Sequence, residues 1–397
     1  MPIELRASTW DDFPLVKVIN ARGENGFRSQ VDFDIHRLVF TPDRSIMAFD
    51  GKDMVGNALS YEMDMYIPGG ISKIAAVASV SVQATHRRKG INRSIMKYQL
   101  DDIHSRQEPL AVLQASESII YGRYGYGMAS VESNLEIEKT RSAYAVDQVS
   151  EGQPYFIEES EAREIFPQIY AMAIENRVGM VSRKKNWWEF RFREPGLKGG
   201  DPKSWFIKYQ KNGINEGYLR YTIDDAELNI IELIASSNEA YSSLWRLCLD
   251  MDLVDIIKAE HRPVDEELKW LLADPRRLVE HSCDRYWVRL VDVKKALSQR
   301  SYSVDGSLTL KVKDSFLPWN QEVVELMSES GESSCVTSTR NPDIVLSAGD
   351  LGAVYLGGIN FSTLLAAGRI EEVTKGSVTK ANLMFSTTRS PWGFDGW

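Results

Sequence analysis

Val77-Ala78-Ser79-Val80-Ser81-Val82 runs as a strand-like segment into a basic glycine loop, Arg87-Arg88-Lys89-Gly90-Ile91-Asn92-Arg93, which opens a helical pattern from Ile91 to Ser105. A second apolar strand, Ala111 to Ala115, leads through Ser116-Glu117 into Ile120-Tyr121-Gly122-Arg123-Tyr124-Gly125-Tyr126-Gly127. Strand, glycine loop and helix in this order describe a phosphate cradle. The first N–H groups of a helix lack intrahelical partners and carry partial positive charge, so a pyrophosphate is held there. Gly90 leaves room for close approach, and Arg87, Arg88, Lys89 and Arg93 add charge-assisted contacts. Taken alone, the loop also reads as a solvated basic turn before an amphipathic helix.

Composition sets the frame around this segment. With 397 residues, 43% hydrophobic and 26% charged, the chain is an ordinary globular one with room for two or three cores. No basic start followed by an apolar run, and no stretch of about 18 apolar residues, marks a leader or a bilayer span. A cytoplasmic protein without membrane partners is expected. Cys248, Cys283 and Cys335 are far apart and odd in number, which argues against a disulfide framework. The five histidines, His36, His86, His104, His261 and His281, have no metal-ligand spacing, so no metal is expected. A net charge of −9 disfavours nucleic acid and suits a cationic substrate.

Outward from the cradle, Arg6 to Ala21 has helical spacing, and Ser45 to Phe49, Val55 to Tyr66 and Ile74 to Val82 read as strands separated by Asp50-Gly51-Lys52-Asp53 and Pro68-Gly69-Gly70. This is an α/β order with one mixed sheet. A second block echoes it. Tyr155 to Ile157 is strand-like, Glu161 to Asn176 helical, and strands at Ser204 to Tyr209, Glu216 to Thr222 and Leu228 to Ile234 precede a helix from about Glu239 to Asp250. Between that last strand and helix, Ala235-Ser236-Ser237-Asn238 carries neither arginine nor glycine, so the second block has no phosphate cradle. From Arg285 to Val291 a strand opens a third region, with strands at Leu308 to Val312 and Ser334 to Thr337 and helix-like or mixed segments at Leu346 to Tyr355 and Phe361 to Ala367.

The stretch Ser79 to Gly90, with Ala115-Ser116-Glu117, the Ile120 to Gly127 segment and the remote Tyr286-Trp287-Val288-Arg289-Leu290-Val291-Asp292-Val293, resembles the enhanced intracellular survival (Eis) family of GCN5-related N-acetyltransferases (GNATs). Asn92 departs from the Arg/Gln-x-x-Gly-x-Gly/Ala signature of GCN5-related N-acetyltransferases, which has Gly or Ala at this position. The resemblance implies tandem GNAT-like domains followed by a sterol carrier protein-like α+β domain: 1–150 catalytic and acetyl-CoA binding, 151–288 without a coenzyme motif, and 289–397. It also implies hexamers, and acceptors such as aminoglycosides, other polyamines or lysine side chains of peptides.

Acetyl transfer needs an anchored thioester, a deprotonated amine and a proton for the departing thiolate. The resemblance assigns Val80, Ser81 and Val82 to the pantetheine arm, Arg88, Lys89, Gly90, Ile91, Asn92 and Arg93 to the pyrophosphate, and Ser116 and Glu117 to the remaining coenzyme contacts. On the residues alone Tyr121, Tyr124 and Tyr126 compete as proton donor; the resemblance selects Tyr121. It assigns the base to the carboxylate of Trp397, at the end of an aromatic tail, Trp392-Gly393-Phe394-Asp395-Gly396-Trp397. Glu24, Phe27, Asp32, Phe33, Asp34 and Asp395 are the acids and aromatics expected to receive a cationic acceptor. A non-catalytic acyl-CoA sensor and a lipid-binding protein are the rival readings.

Overall fold

A computed structural model of the chain describes residues 3–24, 30–146, 148–175, 177–193 and 203–397, with the backbone alone at 23–24 and 30–33. These residues divide into two compact units, one formed by 1–130, 284–391 and 395–397, the other by 131–283 and 392–394.

In the first unit a seven-stranded sheet runs in the order Glu4–Ala7, Ser45–Asp50, Asp53–Ile67, Gly70–Val82, Leu110–Leu113, Trp287–Leu290, Gly127–Met128. Its first four strands are antiparallel. Gly70–Val82 and Leu110–Leu113 are parallel, joined across the helix Ile91–Ser105, which is the connection that parallel pairing requires. Trp287–Leu290 then enters antiparallel between Leu110–Leu113 and Gly127–Met128. Adjacent residues of a strand face opposite sides, so Asp53–Ile67 fixes which helix covers which face. Gly56 faces Ile95 of the helix Ile91–Ser105, while Asn57 reaches Asn20 of the helix Phe13–Glu24.

The expected helix over Arg6 to Ala21 is instead a strand, Glu4–Ala7, followed by a short turn and the helix Phe13–Glu24. Asp12 explains the break. Its carboxylate accepts two bonds from Arg6 at 2.8 Å and the Thr9 N–H at 2.8 Å, tying strand end to helix start. The Arg6 hydrogen bonds hold Asp12 down at a pKa of about 2. A carboxylate whose folded pKa is depressed stabilises above its unfolded pKa, and that stability is lost as pH falls toward the folded one. Asp12→Asn is therefore expected to cost about 2 kcal/mol at pH 7, a difference that closes between roughly pH 4 and pH 2 in urea titrations.

The same unit contains a five-stranded sheet ordered Glu332–Thr337, Val323–Glu329, Gly306–Lys313, Ile344–Ser347, Glu371–Glu372. Its link to the first sheet is the helix Ala348–Tyr355, in which every residue is buried. Its sequence, Ala-Gly-Asp-Leu-Gly-Ala-Val-Tyr, is small enough for backbone-to-backbone packing. A methyl placed on Gly352 would lie 2.2 Å from the Val288 carbonyl oxygen, and one on Gly127 1.8 Å from that of Gly349. Neither obstacle is a side chain that can swing away. Gly352→Ala is expected to destabilise the unit by at least about 2 kcal/mol. Gly122→Ala, where nothing lies within 4 Å, should leave the urea midpoint nearly unchanged. Close by, Arg289 and Asp314 form an ion pair with side chains 0% and 1% exposed. Asp314 also accepts the N–H groups of Phe316 and Leu317, which fixes this loop of the third region.

The second unit has its own seven-stranded sheet, ordered Val279–Asp284, Val131–Glu138, Ile256–Pro263, Glu227–Ala235, Ile214–Asp224, Trp205–Lys211, Gln153–Ile157. Its parallel pair, Glu227–Ala235 with Ile256–Pro263, flanks the helix Asn238–Asp250 and repeats the arrangement of the first sheet. A physical reason now replaces the missing glycine loop. The Glu239 carboxylate, in the first helical turn, accepts from Glu151 N (2.6 Å), Gly152 N (3.1 Å), Tyr209 Oη (2.7 Å) and Lys211 Nζ (2.6 Å). The protein's own anion holds the position at which the first unit presents its basic loop. Lys211, the largest influence, keeps that carboxyl well below the usual range.

Among the described residues no helix is long and apolar enough to cross a membrane.

Candidate active site

The site begins where two parallel strands part. Pairing between Gly70–Val82 and Leu110–Leu113 ends at Val77 and Leu113. Just beyond, the register with Asp53–Ile67 slips, Leu59 facing Ala78 but Asn57 facing Ser81, so one extra residue bulges from the Gly70–Val82 strand. Ser79 takes φ +49° there. Asn57, fully buried, stabilises the bulge by donating its amide to the Ser79 carbonyl (2.7 Å) and to Asn20 Oδ1 (2.9 Å). A bulge of this kind re-aims the strand, opening the backbone of Val80 to Val82 on the side that Leu113 no longer pairs. Val80 is half-buried, and Ser81 is buried with its hydroxyl toward the Ile19 carbonyl.

The loop follows. Arg88 takes φ +64° and Gly90, the residue capping the helix Ile91–Ser105, φ +81°. That φ is why a glycine stands here, since a methyl at Gly90 would meet nothing within 4 Å. The space in front of the helix N-terminus is thus open to a phosphate group. Arg88, Lys89 and Arg93 are exposed and have no carboxylate partner among the described residues. Asn92, the departure from the expected Gly or Ala, turns its side chain away and donates Nδ2 to the Tyr124 hydroxyl at 3.2 Å. Its bulk therefore need not obstruct the cradle.

Past the second strand, Ser116 and Glu117 are exposed at the start of the short helix Ser118–Tyr121. Tyr121 is buried and shares an apolar cluster with Val77, Met96, Leu113, Tyr124 and Tyr126. Burial raises its pKa above the ordinary phenol value, with a hydrogen bond to Ser116 acting in the opposite direction. The competing phenols are differently occupied. Tyr124 holds Asn92, and Tyr126, 1% exposed, has a buried hydroxyl with no hydrogen-bond partner among the described residues.

Residues 395–397 enter this same region. The Asp395 carbonyl accepts from Gln114 Nε2 at 2.6 Å and from the Tyr286 hydroxyl at 2.8 Å. Tyr286 stacks on the Trp397 ring, centroids 5.2 Å apart and planes 22° apart. The Trp397 indole donates Nε1–H to the carbonyl of Val77, 2.8 Å away. That carbonyl belongs to the last residue of the parallel pairing, so Trp397 sits at the point where the strands separate. Asp395 itself is 3% exposed.

On the other side of the bulge a pocket is lined by Phe13, Lys17, Asn20, His36, Phe40, Leu59, Tyr61 and Ser79. None of these was named as a site residue from the sequence. The signal was there in Asp53–Ile67, where period-two alternation puts Asn57, Leu59 and Tyr61 on one face. Of the residues expected to receive the acceptor, Asp34 is exposed on the helix Gln30–Arg37. Glu24, Asp32 and Phe33 lie in helices with side chains outside the described residues, and Phe27 lies outside them altogether. Among the described residues no cluster of histidine, cysteine, aspartate or glutamate has metal-holding geometry.

Comparison with known proteins bears on this geometry. An acetyltransferase (GNAT) domain model matches residues 5–129, a second acetyltransferase (GNAT) domain model 179–290, and a sterol carrier protein domain model 293–393. An uncharacterized N-acetyltransferase of Streptomyces avermitilis is 34% identical, over 88% of both chains. N-acetyltransferase Eis of Mycobacterium tuberculosis is 27% identical over 93% of both. The crystal structure of Eis1 from Mycobacterium abscessus superposes with a TM-score of 0.88 at 29% identity, covering 99% of this chain and 100% of that one. The chain belongs to the Eis family of GCN5-related N-acetyltransferases. Tandem GNAT domains followed by a sterol carrier protein domain, expected from the sequence, are its architecture. It is an acetyltransferase, and GNAT acetyltransferases use acetyl-CoA. The cradle fits that coenzyme in its open Gly90 position and in Arg88, Lys89 and Arg93, which have no carboxylate partner among the described residues.

Proposed function

We propose that this Eis-family enzyme transfers acetyl from acetyl-CoA to amines of a small cationic acceptor, aminoglycosides first among the classes to test, with polyamines and lysine peptides beside them. The observation that supports the reading is the Trp397 indole bonded to the Val77 carbonyl, which seats that residue's ring at the parting of the strands. In this reading the backbone of Val80 to Val82 holds the pantetheine arm, Arg88 to Arg93 the pyrophosphate, and Ser116 and Glu117 the remaining coenzyme contacts. The Trp397 carboxylate takes the proton of the attacking amine. The amine nitrogen bonds to the acetyl carbon, the carbon–sulfur bond breaks, and the Tyr121 phenol protonates the departing thiolate. The phenol is available as a donor because its ordinary pKa, near 10, leaves it protonated at neutral pH. The domain limits 1–150, 151–288 and 289–397, hexameric assembly and a cytoplasmic location belong to the same proposal.

Release of coenzyme thiol from acetyl-CoA, measured against a panel of aminoglycosides, polyamines and lysine peptides, tests it. Acceptor-dependent release supports the enzyme. Acetyl-CoA binding without release from any acceptor sinks this reading in favour of a sensor. Saturable fatty-acid or sterol binding, with no release, does so in favour of a carrier.

A further inference from the structure

The second unit repeats the strand parting of the first, but fills it differently. Its parallel pairing, Glu227–Ala235 with Ile256–Pro263, ends at Ile230 and Ala259. One extra residue again bulges just beyond, Arg220 facing Glu232 but Tyr221 facing Ile230. A pantetheine arm needs free strand backbone at such a parting, and here the backbone is taken. Arg262, its side chain 6% exposed, reaches across from Ile256–Pro263 and donates Nη1 to the Leu233 carbonyl at 2.9 Å. The neighbouring His261 carbonyl accepts the indole Nε1–H of Trp392 at 2.7 Å.

Residues 392–394 belong to the second unit, and residues 395–397 to the first. The second unit grips its part of the tail at several points. The Trp392 N–H donates to the Val178 carbonyl at 2.8 Å. The Trp392 ring centre lies 5.1 Å from the guanidinium carbon of Arg262 and 5.7 Å from that of Arg177. Carboxylates fix both cations, Glu266 holding Arg262 at 2.9 Å and Asp265 holding Arg177 at 2.8 Å. Gly179 takes φ +94°, and a methyl on it would lie 2.7 Å from the Trp392 carbonyl oxygen, so this turn is shaped to the tail. Phe394 stands with its ring centre 5.2 Å from the guanidinium carbon of Arg183, which is buried against Glu232. Desolvated guanidiniums attract aromatic rings more strongly than exposed ones do.

A chain end is usually frayed, because ordering each residue costs conformational entropy. With 392–394 fixed, only residues 395–397 remain to be ordered before the terminal carboxylate. We propose that the second unit binds the chain's own tail where a coenzyme arm would lie, and that Trp392 and Phe394 are positioning residues for the Trp397 carboxylate. The positioning role rests on the base proposed above and deepens it, giving the unit without a phosphate cradle a part in catalysis. The dock itself stands on the contacts of 392–394 alone.

Carboxypeptidase digestion of the full chain, read as the rate at which Trp397 is released, tests the dock without any turnover. Trp392→Phe removes the indole donor to His261 and keeps an aromatic ring facing the two arginines. It is expected to speed release about five- to tenfold, as the loss of one hydrogen bond does. Phe394→Leu, which withdraws a ring from Arg183, should speed it several-fold. Release unchanged in both variants overturns the dock. Steady-state kinetics test the positioning role. Each variant should lower kcat several-fold while the KM for acetyl-CoA stays within about twofold. In a chain extended past Trp397, where the carboxylate is already an amide, neither should lower the residual kcat further. A kcat unmoved in both variants, or one that falls by the same factor in the extended chain, overturns the positioning role. Full activity in the extended chain removes the base itself and the positioning role with it, and the release rates still decide the dock.

Discussion

Tyr121→Phe is expected to lower kcat by about 10²- to 10⁴-fold, the range a positioned acid supplies, while the KM for acetyl-CoA moves by no more than a few-fold. The split follows from what the substitution leaves in place. The ring keeps its packing against Val77, Leu113 and Tyr126, and the hydroxyl's partner, Ser116, is exposed and can turn to water. In the proposed mechanism, what disappears is the proton delivered as the carbon–sulfur bond breaks. Burial raises the Tyr121 pKa above its ordinary value near 10, so the phenol keeps its proton at neutral pH and loses it only in strongly alkaline solution. Turnover should therefore show no alkaline decline from this group below about pH 10. Parallel measurements on Tyr124→Phe and Tyr126→Phe separate chemistry from packing. Tyr124→Phe should act mainly on coenzyme binding, because its hydroxyl holds Asn92, and Tyr126→Phe removes a hydroxyl with no hydrogen-bond partner among the described residues. A kcat for Tyr121→Phe equal to that of the unmodified chain removes Tyr121 from the mechanism.

The strand, glycine turn and helix around Gly90 were legible because local signals agree there. Apolar periodicity and Gly90 give the helix Ile91–Ser105 with its expected ends, and the strand before it needs no distant partner to be recognised. The strand Trp287–Leu290 was also readable as a strand, but its destination was not. It pairs with Leu110–Leu113, and nothing in either segment names the other across so long a stretch of chain. Val131–Glu138, Ile256–Pro263, Val279–Asp284 and Val323–Glu329 were not read as strands because their apolar residues are few and set among polar and charged ones, although Val131–Glu138 alternates as a half-buried strand does. The bulge at Ser79 was invisible for another reason. It depends on Asn57 presenting a buried amide to a backbone carbonyl, and a lone asparagine in a strand carries no such message. In the second unit the sequence showed only that a glycine loop was missing. The structure adds the cause, a carboxylate at Glu239 satisfied by two backbone N–H groups, a phenol and a lysine.

Extending the chain past Trp397 is expected to abolish transfer, by about 10²- to 10⁴-fold in kcat, with coenzyme affinity and thermal stability nearly unchanged. An added residue turns the Trp397 carboxylate into an amide, which neither accepts the amine proton nor attracts an ammonium ion. It leaves the indole free to keep its bond to the Val77 carbonyl and its stack on Tyr286. Trp397→Phe makes the complementary change. The carboxylate stays, but the 2.8 Å hydrogen bond from the Trp397 indole to the Val77 carbonyl is lost. Losing a hydrogen bond worth about 1 kcal/mol should cost roughly five- to tenfold in kcat, far less than extension. The order of the two effects is the decisive observation. If packing of the tail alone matters, Trp397→Phe should hurt at least as much as an added glycine, because it alters the side chain that touches Val77 and Tyr286. If the carboxylate is the base, the glycine does the greater damage although it disturbs no ring. Full activity in the extended chain rules out the carboxylate and moves the search for a base to the pocket beyond the Ser79 bulge, where His36 lies with Lys17 and Asn20.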